Sequence, residues 1–205
     1  MVTVVPKTLA QDRYWDPKRL LLPLKRWLLL TFYLDTNSFR DLPDRRWLEQ
    51  QLRPELEKLR GCSVLFVGCA YYTWEYLRAF HKSVDLKSAD IDPVNKLWGS
   101  QKHLIADVLE IDNVLEPKSI DLVLLNGVFG HGVDSVEAQE KALRSLHRVL
   151  KPGGYLLVGW NCDRTSDPLA LAACQNLFSK SGYKGLPSRN SFKESTHVID
   201  FLKAK

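Results

Sequence analysis

Small or acidic residues follow four successive apolar runs in this chain, and they are the positions most able to do chemistry. Gly68 and Ala70 follow the first run and are small enough for the backbone to approach a ligand closely. Asp90 follows the second run, Asp107 the third, and the glycine-rich segment Asn126 to Gly132 the fourth. Carboxylates accept hydrogen bonds from hydroxyl and amino groups, so these positions predict a site for a polar ligand.

Each of these positions also has a purely structural explanation. The turn at Gly68 is also typical of an ordinary strand-to-helix connection, in which Thr73 caps the next helix. Asp90 lies about twenty residues after the glycine turn, where an acid ending a second strand binds ribose hydroxyls. Asp92 precedes a proline and is typical of a helix cap, although both acids could be caps. Asp107 could contact an adenine amino group or simply begin a surface loop.

The four runs belong to a pattern in which short strands alternate with helices. Such alternation predicts an α/β protein with a doubly wound, mostly parallel sheet and helices on both faces. Ligands of these sheets bind outside the carboxyl ends of the strands, which is where the small and acidic residues fall. The predicted strands cover residues 64–67, 83–89, 103–106, 120–125 and 154–158, and the predicted helices between them cover residues 73–80, 93–98 and 136–150.

The two ends of the chain carry different patterns. Apolar spacing between Asp16 and Leu59 predicts two or three helices, with Pro43 and Pro54 as breaks. We therefore expect an N-terminal helical cap, residues 1–60, attached to one globular domain, residues 61–205. After the fifth strand the pattern predicts one more helix and two closing strands, at Asp167 to Lys180, Tyr183 to Leu186 and Thr196 to Leu202.

Several of these motifs occur in an order that a known family shares. They are Val-Gly68-Cys-Ala, Asp90-Ile-Asp-Pro, Ala-Asp107, Asp-Leu-Val-Leu-Leu-Asn126 and Leu-Lys-Pro-Gly-Gly154, of which the last is the most specific. In this order they resemble the class I S-adenosylmethionine (AdoMet)-dependent methyltransferases, type 11-like members in particular, over about Gly61 to Gly159. The resemblance implies a seven-stranded Rossmann-like sheet with an antiparallel last strand, and a substrate-covering cap made by the first sixty residues.

The resemblance also implies AdoMet as the cofactor and a role for each strand tip. The methionine part would lie on the first tip, at Gly68, Cys69, Ala70, Tyr72 and Thr73. The ribose would lie on the second tip and the adenine on the third, at Asp90 and Ile91, and at Asp107 and Val108. Asn126, Gly127 and Val128 would lie near the sulfonium.

The first tip departs from the family pattern, which is an acid followed by Gly-x-Gly-x-Gly. This chain has Phe66 in place of the acid and Ala70 and Tyr72 in place of the last two glycines. A tyrosine in a left-handed conformation is strained, so either the loop takes another path, with Tyr71 or Tyr72 on the ligand, or cofactor binding is weaker. The departure leaves open a catalytically impaired, partner-binding module. A nicotinamide dinucleotide is disfavoured because Gly-x-Gly-x-x-Gly is absent.

His131 is the one histidine that the sequence places at a strand tip on the predicted crevice. It is the candidate base for methyl transfer to an oxygen or nitrogen of a small-molecule acceptor, or the group that positions that acceptor. The alternative is a solvated or capping loop histidine. The other four histidines, His81, His103, His147 and His197, show no partner that suggests catalysis. Aromatic residues of the N-terminal half could pack in the core or line an acceptor pocket.

Composition sets wider bounds on what this chain of 205 residues does. Its net charge of +5 comes from scattered lysines and arginines, which disfavours nucleic acid as a partner. Its four cysteines form no metal-binding or disulfide pattern, and no secretory signal is visible, so we expect no metal site and a cytoplasmic location. Residues 20–34 are a candidate for peripheral contact with a membrane. The oligomeric state is not indicated.

Overall fold

A computed structural model describes residues 21–32 and 42–205 of the chain. Its strands are β1 Ser63–Val67, β2 Asp85–Asp90, β3 Lys102–Ile105, β4 Ile120–Asn126, β5 Leu150–Asn161, β6 Phe178–Lys180, β7 Arg189–Phe192 and β8 Ser195–Ala204. Its α-helices are α1 Leu22–Phe32, α2 Pro43–Trp47, α3 Arg53–Glu57, α4 Trp74–Ala79, α5 Val136–Val149 and α6 Ala172–Leu177. None of the described helices is long and apolar enough to span a membrane.

The strands form one sheet in the order β3-β2-β1-β4-β5-β8-β6. The first five are parallel, and β8 runs antiparallel to β5, to β6 and to the additional strand β7. The predicted doubly wound, mostly parallel sheet with an antiparallel last strand is therefore confirmed. The strand number differs, because Lys193 and Glu194 let the chain turn back and pair β7 with β8.

The central strands are buried on both faces, which explains their continuous apolar sequences. Val64 and Phe66 of β1 face the side covered by the N-terminal helices, and Leu65 and Val67 face the side covered by α5. The same alternation continues in β4 and β5. Two apolar layers thus hold the sheet, and its strand ends remain accessible at the edge where the chain connects to the helices.

The N-terminal cap packs directly on the sheet through α2, a π-helical turn at Leu48–Leu52 and α3. Leu48, Leu52 and Leu56 lie one turn apart and belong to the same buried cluster as β1. Pro54 was expected to break this segment, but the helix continues through it. A proline lacks the N–H for an α-helical bond, and the wider π turn, with Arg53 N–H bonded to Leu48 O, accommodates it.

The region after β5 differs from the sequence prediction. The helix expected from Asp167 to Lys180 is a short 3₁₀ turn, then α6, then strand β6. The strand expected at Tyr183 to Leu186 is a tight turn closed by a pair of backbone hydrogen bonds between these residues. The last predicted strand, Thr196 to Leu202, lies within β8. Apolar residues at a period compatible with both a helix and a strand made this region ambiguous.

Candidate active site

A cleft of about 470 Å³ lies at the carboxyl ends of β1 to β4. Eleven of the thirteen predicted site residues line it: Gly68, Cys69, Tyr72, Asp90, Ile91, Asp107, Val108, Asn126, Gly127, Val128 and His131. Ala70 and Thr73 do not line it. Parallel strands end at the same edge of the sheet, so the four strand tips converge although they are far apart in sequence.

The loop after β1 needs glycine only at its first position. Gly68 has a φ of +84°, and a Cβ atom there would lie 3.0 Å from Val128 Cγ2. The chain then turns into a 3₁₀ helix at Tyr71–Thr73, and φ stays negative from Ala70 through Thr73. The departure from the family pattern therefore gives a different loop path, in which Tyr72 lines the cleft without backbone strain.

Thr73 closes this loop instead of facing the cleft. Its side chain is buried, and its hydroxyl accepts from Ala70 N–H at 2.9 Å and donates to Ala70 O at 2.8 Å. The predicted hydrogen bond from Thr73 to the first turn of the next helix is not formed. Ala70 and Thr73 thus shape the wall around Tyr72, and their predicted contact with the methionine part is untested.

Asp90 ties the tips of β1 and β2 together. Its Oδ2 accepts from Cys69 N–H at 2.7 Å, and its Oδ1 accepts from Asp92 N–H at 2.9 Å. A carboxylate offers about four acceptor positions, so hydrogen-bonding capacity remains for a ligand. Asp92 caps the following 3₁₀ helix through Val94 N–H, as expected. Burial, with the negative charge of Asp90, raises the pKa of Cys69 to about 12, so this thiol is neutral.

The third tip combines an acid with apolar surface. Asp107 accepts from Leu109 N–H at 2.9 Å and caps the 3₁₀ segment Val108–Asn113, where the structural alternative had been the start of a surface loop. It still lines the cleft, together with buried Val108 and the exposed side chain of Ile91. A planar apolar ring with an amino group fits this combination of two aliphatic side chains and one acceptor.

The fourth tip holds a polar network that sequence reasoning missed. Asn126 Oδ1 lies 2.9 Å from His197 Nε2, and His197 Nδ1 lies 2.9 Å from Asp44 Oδ2. Burial alone raises the pKa of Asp44, but the hydrogen bond and charge of His197, with Arg45, lower it below its ordinary value. His197, for which the sequence showed no partner that suggests catalysis, thus has two hydrogen-bonding partners in the structure. Its partners are 71 and 153 residues away, so no local signal indicated them.

His131 lies on the exposed loop after Asn126 and lines the same cleft. Its Nε2 is 3.4 Å from Asn161 Oδ1, a long contact that leaves the ring able to reorient. Gly127, Gly130 and Gly132 all have positive φ, which explains why the loop is rich in glycine. The structure thus places a titratable group beside the predicted reaction centre.

A second cavity of about 480 Å³ adjoins the cleft on the side of the N-terminal helices. Tyr72 lines both cavities. The remaining wall of the second cavity is mixed, with aromatic, aliphatic and charged side chains: Leu30, Arg45, Arg46, Glu49, Gln50, Arg53, Tyr71, Glu75 and Tyr76. Two neighbouring cavities of this size can hold two small molecules, one on each side of Tyr72.

Comparisons with known proteins agree with this architecture. Residues 65–158 match the family described as methyltransferase domain. No curated protein has significant sequence similarity to the chain. The structure is similar to the TehB-like SAM-dependent methyltransferase from Corynebacterium glutamicum, at 17% identity and a TM-score of 0.57 over 93% of this chain and 100% of that one.

Two further solved structures share the fold. The N-methyltransferase NodS from Bradyrhizobium japonicum, in complex with S-adenosyl-L-homocysteine, is 16% identical with a TM-score of 0.61, over 92% of this chain and 99% of that one. The 1,6-didemethyltoxoflavin-N1-methyltransferase from Burkholderia thailandensis is 15% identical with a TM-score of 0.50, over 93% and 92%. With the sheet order, these similarities show the fold of the class I AdoMet-dependent methyltransferases, and residues 65–158 are the part of the chain that is similar to the methyltransferase domain family.

Proposed function

We propose that this protein transfers a methyl group from AdoMet to an oxygen or nitrogen atom of a small molecule. The observation that carries the proposal is the convergence of Gly68, Asp90, Asp107 and Asn126 on one cleft. AdoMet supplies an activated methyl group on a sulfonium, so the protein needs mainly to bind and orient the two reactants. Positioning of this kind contributes up to about 7 to 11 kcal/mol in well-oriented systems.

The residues present fit an adenosyl cofactor. Asp90 has acceptor capacity for ribose hydroxyls, and Asp107 has it for the adenine amino group. Ile91 and Val108 supply the apolar surface on which the adenine ring would lie. Gly68 has no side chain, so its backbone is accessible where the methionine part would bind. A Cβ atom at this position would meet Val128.

Calorimetry with AdoMet and with S-adenosylhomocysteine (AdoHcy) tests this proposal on the intact chain. We expect both to bind, and NAD⁺, which shares the adenosine but not the methionine, to bind at least tenfold more weakly. The absence of heat with both sulfur compounds would overturn the proposal and favour the rival function, a partner-binding module built on a methyltransferase fold.

The cavity on the other side of Tyr72 is the proposed site for the body of the acceptor, covered by the N-terminal cap, and the reacting atom of the acceptor would extend into the cleft toward Asn126 and His131. Gln50 is exposed on its wall, so a Gln50→Trp substitution fills space there without disturbing the buried side of the helix. We expect this variant to bind AdoHcy like the wild type and to lose methyl transfer. Gln51→Trp, also exposed but not on the cavity wall, is the matched control and should retain transfer. Equal transfer by both variants would contradict the assignment.

His131 is the proposed base, or the group that orients the acceptor. A general base contributes about 10² to 10⁴ in rate, and the pH dependence of transfer reports its ionisation. We expect His131→Ala to lower transfer by this factor and to leave AdoHcy affinity within twofold. His81, half-buried and outside both cavities, gives the control variant His81→Ala. Unchanged transfer by His131→Ala at every pH would remove His131 from the mechanism.

Helix α1 supports a proposed peripheral contact with membranes. It exposes Leu24, Trp27 and Leu28, each with more than 40% of its surface accessible, and it carries Lys25 beside them. Such a helix lies on a membrane surface with its apolar side chains inserted. We expect the intact chain to sediment with anionic phosphatidylserine vesicles, and a Leu24→Glu/Leu28→Glu variant to remain in the supernatant. Equal sedimentation of both would contradict the proposal.

A further inference from the structure

The network of Asp44, His197 and Asn126 links the N-terminal cap to the methyltransferase cleft. Asp44 lies in α2, His197 in β8 and Asn126 at the tip of β4. Asp44 and His197 are 4% and 6% exposed, so the network is shielded from water up to the point where Asn126 reaches the cleft. A buried chain of polar groups ending at a ligand site is costly unless every bond in it is made.

Gly159 of β5 is shaped for this network. Its register partner in the sheet is Asn126. A Cβ atom at this position would lie 1.9 Å from Asn126 Oδ1 and 2.9 Å from His197 Nε2, and the φ of Gly159 is not in the left-handed region. The glycine is therefore required for space and not for backbone conformation. The hydrogen-bonded atoms of Asn126 and His197 occupy the space that the Cβ atom of any other residue at position 159 would need.

The directions of the hydrogen bonds follow from the atoms that meet. Because Asn126 Oδ1 is an acceptor, His197 Nε2 must donate to it, and His197 Nδ1 donates to the Asp44 carboxylate. Both ring nitrogens then act as donors, one toward each neighbour. Arg45, 3.9 Å from Asp44 Oδ2, is a charged group at this carboxylate. The amide nitrogen of Asn126 is left for a ligand.

We propose that Asp44 and His197 are positioning residues that fix the Asn126 amide so that the cleft meets its NH₂ group. The inference rests on the proposed methyl transfer and narrows the acceptor to an oxygen atom. A neutral amine has one lone pair, which it must use to attack the methyl group, so it cannot also accept from Asn126. A hydroxyl or carboxylate oxygen has a second lone pair, so it can accept from Asn126 while it attacks.

Nitrogen NMR of the histidine ring tests the orientation directly, without any ligand. His197 is assigned in the ¹⁵N-labelled full chain by the loss of its signals in His197→Gln. We expect both ring nitrogens to show the shifts of protonated nitrogens at pH 7, and one of them to become unprotonated in Asp44→Asn. An unprotonated Nε2 in the wild type would overturn the proposal, because Nε2 would then accept from Asn126 and the amide oxygen would face the cleft.

Ligand binding and transfer test the consequence for the cleft. We expect AdoHcy to shift the Asn126 side-chain NH₂ signal at least twice as far in the wild type as in His197→Phe, and His197→Gln, which retains a donor, to restore the shift. Equal shifts in all three proteins would overturn the positioning role. Calorimetry on the same samples reports whether AdoHcy binds, so failure of the cofactor site is seen separately.

Methyl transfer from labelled AdoMet to matched probes tests the choice of acceptor atom. Phenol, benzoate and aniline present a hydroxyl, a carboxylate and an amine on the same ring. We expect label in the phenol or benzoate product to exceed that in methylaniline at least tenfold. Methylaniline as the main product would overturn the assignment of an oxygen acceptor.

Discussion

Asp90 gives the sharpest test of the cofactor site, because the chain provides a matched acid two residues away. Asp90 accepts from Cys69 N–H of the loop after β1 and from Asp92 N–H of its own turn, whereas Asp92 accepts from Val94 N–H of its own turn. Both acids line the cleft. The substitutions Asp90→Asn and Asp92→Asn remove one charge each and preserve shape, so they separate a ligand-binding acid from a helix cap.

The expected magnitude follows from the hydrogen bonds. A hydrogen bond to a charged acceptor contributes about 1.5 to 3 kcal/mol, so the loss of the ribose contact in Asp90→Asn corresponds to a roughly 10- to 150-fold rise in the Kd for AdoHcy. In Asp90→Asn, the amide NH₂ group would face one of the two backbone N–H groups that now donate to the carboxylate, so that hydrogen bond would be lost. We therefore expect the unfolding free energy to fall by about 1 to 3 kcal/mol.

Calorimetry with AdoHcy and urea denaturation measure the two effects separately. We expect Asp92→Asn to bind AdoHcy within threefold of the wild type, since it loses only part of a local cap. The reasoning about the cleft would be refuted by Asp90→Asn binding AdoHcy within twofold of the wild type, or by Asp92→Asn losing more affinity than Asp90→Asn.

Three further predictions concern the scaffold that holds the site. Gly68 has a left-handed φ of +84°, so Gly68→Ala should lower the unfolding free energy by about 1 to 2 kcal/mol, measured by urea denaturation. Gly61 also has a positive φ, +59°, but open space around it. Gly61→Ala therefore measures backbone strain alone, and the difference between the two variants reports the contact with Val128. Arg189→Ala should cost about 3 to 5 kcal/mol, because it leaves the fully buried Asp200 without its ion partner, and Arg189→Lys should recover part of this loss. Burial alone raises the pKa of Asp85, but hydrogen bonds from Lys102 and Lys87 lower this pKa to about 2. The stability that the Asp85 carboxylate contributes is therefore present above pH 3.8 and is lost as the pH falls through about 2. The unfolding free energy should therefore decrease less between pH 4 and 2 in Asp85→Asn than in the wild type, and equal slopes would contradict this assignment.

The sequence was informative wherever structure depends on neighbouring residues. The strand at Ser63–Val67 and the helix at Val136–Val149 were predictable because burial on two faces or one face leaves a periodic apolar pattern. Gly68 and Asp90 were predictable as cleft residues because parallel strands bring their carboxyl ends to one edge. Their roles toward a cofactor remain predictions.

Other features were beyond local reasoning for definite reasons. The path of the loop at Tyr72 depends on how a 3₁₀ turn packs, and either of two paths satisfied the sequence. The π turn before Pro54 depends on the sheet, which holds Leu48, Leu52 and Leu56 in one line and so favours a continuous helix over a break. Strand β7 exists only because β8 offers it an edge.

By itself, the sequence determined the alternating strands and helices, the order of the strand tips and the acids and glycines that end them. Only the tertiary structure decided that Asp44 and His197 meet Asn126, and that Gly159 leaves room for them. The physical reason is that turn preferences and burial patterns depend on residues that are close together in the sequence. The contact between Asp44 and His197, by contrast, requires β8 to insert antiparallel beside β5 while α2 packs across the same face of the sheet.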